Sequence, residues 1–179
     1  MSIRMLLGGP AADLQAKQVD ANDIVDTLTI TITSLSLSKP RADFDKGEYL
    51  PAHNSVVHPF DIDYRKSGTF QVGKFLRVLI RLEPKRLPGI TFIPPMPDEA
   101  IKNPAVTTAN ALAAQMLCNL EQATSGLEVS FLIQELDIPA NETPKRYAAF
   151  NLGFRIPDDE VDGAFHDFTY DPTVPNDGS

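Results

Sequence analysis

Proline is the residue type that most constrains how this chain folds. The 179 residues include 15 prolines, and six of them fall between residues 84 and 104. Proline lacks a backbone N–H donor and has a fixed φ, so it is excluded from helix interiors and from central strands. The distribution argues against a simple helical bundle and predicts an extended, Pro-rich crossing over residues 84–104. The apolar residues within the crossing indicate that it packs on the rest of the protein: Ile90, Phe92, Ile93 and Met96.

Alternating apolar residues predict several β-strands between the prolines. Residues 26–38 read DTLTITITSLSLS, and the apolar positions change parity near Thr33 and Ser34. This phase slip predicts a β-bulge or a strand break at that point. Residues 40–59 lack periodicity and are expected to form a long loop. Further strands are expected over residues 60–64, 70–82, 127–133 and 150–156, the first two and the last two pairing as antiparallel hairpins.

Two helices complete the predicted fold. Asn103 and Pro104 are suited to begin a well-defined amphipathic helix over about residues 105–124, where apolar residues recur on one helical face. A shorter N-terminal helix is expected over residues 11–25, after Gly8-Gly9-Pro10. The predicted class is α+β with a mainly antiparallel sheet. We expect one domain over residues 1–156 and an acidic, aromatic C-terminal arm over residues 157–179.

Charge is distributed unevenly along the chain. The formal net charge is -8, with +2 over residues 1–90 and -10 over residues 91–179. This balance argues against direct nucleic-acid binding, which needs a basic surface. The asymmetry has two interpretations. It is either a solvated acidic surface, or an acidic C-terminal face that meets a less acidic face on another subunit.

The N-terminus lacks the apolar core of about 7–15 residues that a secretory signal requires. No apolar run approaches the roughly 18 residues of a membrane span. A cytoplasmic location is therefore expected, including one within a particle if the protein assembles. Cys118, the single cysteine, is expected to be a reduced thiol that packs as a small hydrophobe.

Two clusters contain residue types that bind metal ions. His58, Asp61 and Asp63 would place an imidazole and two carboxylates close together, as Zn, Mn or Fe sites require. The preferred interpretation is a loop histidine followed by the polar face of a strand. Residues 158–163 resemble the start of a calcium loop, but Thr169 stands where that loop needs a bidentate glutamate. No metal or other cofactor is therefore predicted.

The C-terminal arm contains the most interaction-like stretch of the sequence, with Phe165, His166, Phe168 and Tyr170 set among acidic residues. Aromatic residues supply large contact areas, so the arm is expected to pack on its own domain or on a neighbour. Deleting residues 157–179 is predicted to leave a folded core and to abolish association. Unfolding of the truncated chain would instead place the arm in the core.

Three functions are compatible with these features. The preferred one is a non-catalytic structural or assembly subunit, of the kind found in virions, tails or injection apparatus, that binds itself or other protein subunits. The assignment to virions, tails or injection apparatus rests on analogy in the general character of the sequence and on no motif match. The alternative is a small-molecule or peptide-binding module. The third is a metal-dependent enzyme using His58, Asp61 and Asp63. No catalytic motif supports an enzyme, so none is predicted.

Overall fold

The chain forms two β-sheets that pack face to face. The computed structural model describes residues 11–37, 47–51, 72–136, 146–158, 160–170 and 173–176. The strands are β1 (Ala12–Asp13), β2 (Ile24–Leu37), β3 (Gly47–Pro51), β4 (Phe75–Leu82), β5 (Thr91–Phe92), β6 (Val106–Thr108), β7 (Leu117–Gln122), β8 (Glu128–Gln134), β9 (Arg146–Pro157), β10 (Phe165–Tyr170) and β11 (Thr173–Asn176). A 3-10 helix (Ala21–Asp23) precedes β2, and one short helix, α1 (Ala111–Met116), precedes β7.

Sheet I is built around β9, and sheet II around β4. Sheet I has the order β1-β6-β9-β10, with β5 and β11 also paired to β9. Sheet II has the order β3-β2-β4-β8-β7. The pairings are antiparallel except that of β2 with β4, which is parallel. The sheets are mainly antiparallel, as predicted, but the described residues are β-rich with very little helix, so the α+β class overstated the helical part.

The long Thr-rich run forms β2 and contains the expected bulge. Its register against β3 shifts between Ile32 and Ser34, which leaves Thr33 as the extra residue. A bulge of this kind places two residues of one strand opposite one residue of its partner. β3 lies within residues 40–59, so the expectation of an unbroken loop there was wrong. The predicted strand over residues 60–64 falls outside the described residues. Its predicted hairpin partner, β4, pairs with β2 on one side and with β8 on the other.

The core lies between the two sheets. Alternate residues of β4 and β8, such as Val78 and Phe131, point inward from sheet II and are almost completely buried. Phe150 and Phe154 point inward from sheet I. The rings of Phe131 and Phe150 meet edge to face across the core, with centroids 5.5 Å apart. Alternation along β4, β8 and β9 therefore places one face of each of these strands in a shared interior.

The predicted helix over residues 105–124 was wrong. Only Ala111–Met116 is helical, and the flanking segments are the strands β6 and β7. The cap is Asn110, whose Oδ1 accepts a hydrogen bond from Ala113 N at 2.8 Å. A helix of six residues is marginal by itself. Pairing of β6 with β9 and of β7 with β8 supplies backbone hydrogen bonds that override the helical periodicity of the apolar residues.

The predicted N-terminal helix was also wrong. Residues 11–25 form β1, an irregular segment, the 3-10 helix and the first two residues of β2. Asp20 caps the 3-10 helix by accepting a hydrogen bond from Asn22 N. The irregular segment lies along the outer edge of β7, where Asn119 N donates to Gln15 O at 2.9 Å. Bonding to this sheet edge takes the place of hydrogen bonds within a helix.

The predicted hairpin between residues 127–133 and 150–156 was wrong as well. Both segments are strands, but β8 pairs with β4 and β7 in sheet II, whereas β9 belongs to sheet I. The two strands face each other across the core. The Pro-rich segment is extended only in part: residues 90–96 are extended and include the two-residue β5, whereas residues 84–89 and 97–102 form turns and bends. Phe92 and Ile93 are buried, as expected for a segment that packs on the protein.

Candidate functional site

The C-terminal arm pairs with β9 of its own chain. β10 and β11 are antiparallel to β9 and share one register, which runs from Phe165 opposite Pro157 to Asn176 opposite Arg146. Residues 158–164 connect β9 to β10. The two strands of the arm thus extend sheet I through their pairing with β9. The proposed division of the chain at residue 156 stays a prediction.

Asp158 organises the connection between β9 and β10. Its Oδ1 accepts hydrogen bonds from the backbone N–H groups of Glu160 at 2.7 Å and Val161 at 3.1 Å. Its Oδ2 lies 2.6 Å from Nε2 of His166. The Asp158 side chain, which the calcium-loop pattern would assign to a metal ion, thus binds the backbone and His166. Among the residues that the structure describes, no group of three or more His, Cys, Asp or Glu side chains is placed to hold a metal ion.

Arg155 on β9 organises the outer face of the hairpin. It lies opposite Asp167 on β10, and its Nε and Nη2 donate to the two carboxylate oxygens at 2.9 and 3.0 Å. The hydrogen bond to Asp167 raises the pKa of the guanidinium, and partial burial opposes this shift. The guanidinium carbon also lies 5.6 Å from the centroid of the Phe165 ring, within the range of a cation–π contact. Arg155 therefore contacts both Asp167 and Phe165 on the neighbouring strand.

Two large apolar side chains are exposed at this hairpin. Phe165 is 55% exposed and Val161 57% exposed, and in the described part of the chain only one other large hydrophobic residue, Val72, is comparably exposed. Residues 157–179 carry seven acidic residues and no Lys or Arg. We call Val161, Phe165, Arg155 and Asp167 the hairpin patch. It combines apolar surface with an acidic surround, which is typical of a protein contact with a cationic surface.

The predicted site residues of the arm have different environments. Phe165 is exposed and His166 is bound to Asp158. Phe168 and Tyr170 lie opposite Phe154 and Leu152 in the strand register. His58, Asp61 and Asp63 lie outside the described residues.

Sequence reasoning missed Arg155 and Val161. Arg155 is the one charged residue among the alternating positions of residues 150–156, which is a signal for an outward-facing side chain. Its partner could not be identified without the register.

Cys118 is the second residue of β7 and is fully buried. Burial raises the pKa of its thiol, and the nearby Lys17 ammonium opposes that shift. A thiol with a raised pKa is a poor nucleophile at neutral pH. The expectation that Cys118 packs as a small hydrophobe is confirmed, although it does so in a strand.

No helix in the described residues has the length and apolar character needed to cross a bilayer. The sequence matches no protein-family model and no curated protein.

Proposed function

We propose that this protein is a non-catalytic assembly subunit that binds a second copy of itself through the hairpin patch. The observation that carries the proposal is the exposure of Phe165 and Val161 together on an acidic hairpin. A few large side chains that the partner buries completely carry most of the binding energy of a protein interface. Subunits of virions, tails and injection apparatus would use such contacts to build a larger particle.

The chain carries a cationic surface that suits this patch. Lys85 and Arg86 are exposed in the turn that follows β4, and neither side chain forms an ion pair or hydrogen bond with any residue in the described part of the chain. Their backbone N–H groups are hydrogen-bonded: Lys85 N donates to the Glu83 side chain at 3.2 Å and Arg86 N to Glu83 O at 3.1 Å. We call Lys85 and Arg86 the cationic turn.

Contact between the hairpin patch of one copy and the cationic turn of another pairs unlike surfaces. Contact between two hairpin patches would bring two acidic segments together, and like charges oppose such an interface. Opposite charges favour the unlike pairing, and salt screens it over about 10 Å at 0.1 M ionic strength. The proposal therefore predicts assembly that weakens as salt is raised.

Two complementary variants test the proposal. Phe165→Ser removes the apolar centre of the patch but leaves the turn. The double variant Lys85→Glu and Arg86→Glu reverses the turn but leaves the patch. Each variant alone should be monomeric by light scattering, and an equimolar mixture should form a one-to-one complex because each supplies the surface that the other lacks. Val72→Ser is the matched control, since it removes an exposed apolar residue outside the hairpin.

Several outcomes contradict the proposal. Wild-type protein that is monomeric at every concentration excludes self-association and leaves a different basic protein as the remaining partner. Assembly that survives Phe165→Ser excludes the hairpin patch. A mixture of the two variants that stays monomeric excludes the pairing of patch with turn.

The alternative of a metal-dependent enzyme depends on His58, Asp61 and Asp63. If it holds, the purified protein contains a bound transition metal and His58→Ala abolishes metal uptake. Purified protein without metal removes this alternative.

A further inference from the structure

The outer face of sheet II contains an open groove of about 250 Å³. Its floor is formed by β4 and β8, and one wall by β7. The other wall is the segment before β2, which lies across the sheet. Among the lining residues are Val19, Ile24, Arg77, Glu121, Ser130 and Leu132. This groove is separate from the hairpin patch, which belongs to sheet I.

Asn119 fixes the segment that forms the second wall. Its Oδ1 accepts from Lys17 N at 2.6 Å and its Nδ2 donates to Lys17 O at 2.8 Å. The side chain thus binds the neighbouring backbone as another strand would. Asn119 has a φ of 57°, a left-handed conformation that asparagine tolerates better than most residues. The wall is therefore held in place before any ligand binds.

The apolar part of the groove is also anchored. Val19 and Ile24 pack against Phe75, Cys118 and Leu132, a small cluster on the outer face of sheet II. This cluster is separate from the main core between the sheets. It gives the groove an apolar surface beside its charged groups.

Two opposite charges that have no partner among the described residues line the groove. Neither the Arg77 guanidinium nor the Glu121 carboxylate forms an ion pair or hydrogen bond with any residue that the structure describes. Arg77 lies opposite Leu132, and Glu121 lies opposite Ser130, two positions along β8. Two strand spacings and one two-residue step separate the Cα atoms of Arg77 and Glu121 by about 12 Å. The two side chains can reach a common ligand but are not placed to neutralise each other.

We propose that this groove binds a small zwitterion that carries an apolar side chain, such as a free amino acid or a dipeptide. Arg77 would bind the carboxylate, because guanidinium forms paired hydrogen bonds with carboxylate oxygens. Glu121 would bind the ammonium group, and the apolar side chain would lie against Val19, Ile24 and Leu132. A ligand with only one charge would leave the other charged residue unpaired. The proposal is independent of the assembly function, because it uses no residue of the hairpin patch or of the cationic turn.

Titration of ¹⁵N-labelled protein with L-leucine and with glycyl-L-leucine tests the site by NMR. The backbone amides of Ser130 and Leu132 should shift, and comparison of the two probes distinguishes an amino acid from a dipeptide. N-acetyl-L-leucine lacks the ammonium group and L-leucinamide lacks the carboxylate. Each should bind about tenfold more weakly than leucine, because one charge-assisted hydrogen-bonding group is lost.

Two variants assign the charges within the groove. Arg77→Gln should abolish the preference for leucine over leucinamide, and Glu121→Gln should abolish the preference for leucine over N-acetyl-leucine. Arg81→Gln is the matched control, because Arg81 lies on the same face of β4 but is paired with Glu128 at 2.9 Å. The proposal is overturned if neither leucine nor the dipeptide shifts these amides up to its solubility limit. Equal affinity for the blocked compounds, or unchanged preferences in both variants, also overturns it.

Discussion

Gly153 is the position at which one added methyl group should most disturb sheet I. It lies on β9, where the Pro-rich crossing leaves the strand after β5 and rejoins it before β6. Its carbonyl accepts from Ile93 N at 3.0 Å, and its N–H donates to Ala105 O at 2.9 Å. A Cβ built on Gly153 would lie 2.2 Å from Pro104 O and 2.8 Å from Ile93 Cδ1. The nearest obstacle is therefore backbone.

The expected loss of unfolding free energy in Gly153→Ala follows from these distances. Close C–H···O contacts have carbon–oxygen distances of about 3.3–3.6 Å, so the crossing would have to move by about 1 Å. Overpacking of this kind costs about 1–3 kcal/mol. Weakening the two backbone hydrogen bonds adds about 1–2 kcal/mol. The lower conformational entropy of alanine in the unfolded chain offsets about 0.4–1 kcal/mol of this loss. We expect Gly153→Ala to lower the free energy of unfolding by about 3 kcal/mol, the sum of these terms.

Urea unfolding followed by circular dichroism measures this change, and Gly163→Ala is the matched control. Gly163 has a φ of 77° and no atom within 4 Å of an added Cβ, so its substitution should cost only the left-handed strain of about 1–2 kcal/mol. If Gly153→Ala is no more destabilising than Gly163→Ala, the close approach of the crossing to β9 is wrong.

Three further predictions concern side chains of β7 and β9. Asn119→Ala should lower the free energy of unfolding by about 2–3 kcal/mol and speed amide exchange at Lys17, because both side-chain bonds and a residue suited to positive φ are lost; unchanged exchange would contradict this. Because the folded state raises the pKa of the Cys118 thiol, the protein should keep its full stability below the pKa of an unfolded cysteine, about 8.5. The stability should then fall as the pH rises toward and through the pKa of the thiol in the folded protein. Cys118→Ala should therefore flatten the alkaline loss seen in urea titrations of the wild type. Arg155→Gln should cost at most about 1 kcal/mol, since its pair with Asp167 is partly exposed; a much larger loss in urea unfolding would mean that this pair holds the hairpin together.

Local sequence patterns predicted the positions of the strands better than the pairing partners of those strands. The period of two in residues 127–133 and 150–156 identified β8 and most of β9, and the parity change near Thr33 identified the bulge in β2. The pairing partners could not be obtained in this way, because residues 127–133 alternate in the same manner whether they pair with β4 or with β9. Pairing is a non-local property, decided by which apolar faces share a core.

The predicted helix over residues 105–124 failed for a related reason. Val106, Ala113, Met116 and Leu117 do lie in the core, but three successive elements deliver them there rather than one helix. Apolar residues at helical spacing within a segment of mixed propensity cannot distinguish these solutions. Asn110 also carried a signal for a later helix start, since asparagine caps helices well.

The candidate site was predictable only in part. An aromatic, acidic stretch predicted an interaction surface; Phe165 is exposed there, and the interaction itself stays a prediction. Arg155 could not be linked to Phe165 and Asp167, because cross-strand neighbours depend on register. The groove of sheet II was not predictable either, since Arg77 and Glu121 lie 44 positions apart in the sequence and line the same groove only because β4 and β7 both pair with β8.

The most direct test of the assembly proposal is the mass of the purified full-length protein in solution, measured by light scattering at low and at high salt. The monomer has a mass of 19.6 kDa. The proposal predicts a discrete species larger than this at low salt, which shifts toward the monomer as salt is raised because exposed charge contacts are screened. A mass of 19.6 kDa at every protein and salt concentration would contradict self-assembly through the hairpin patch.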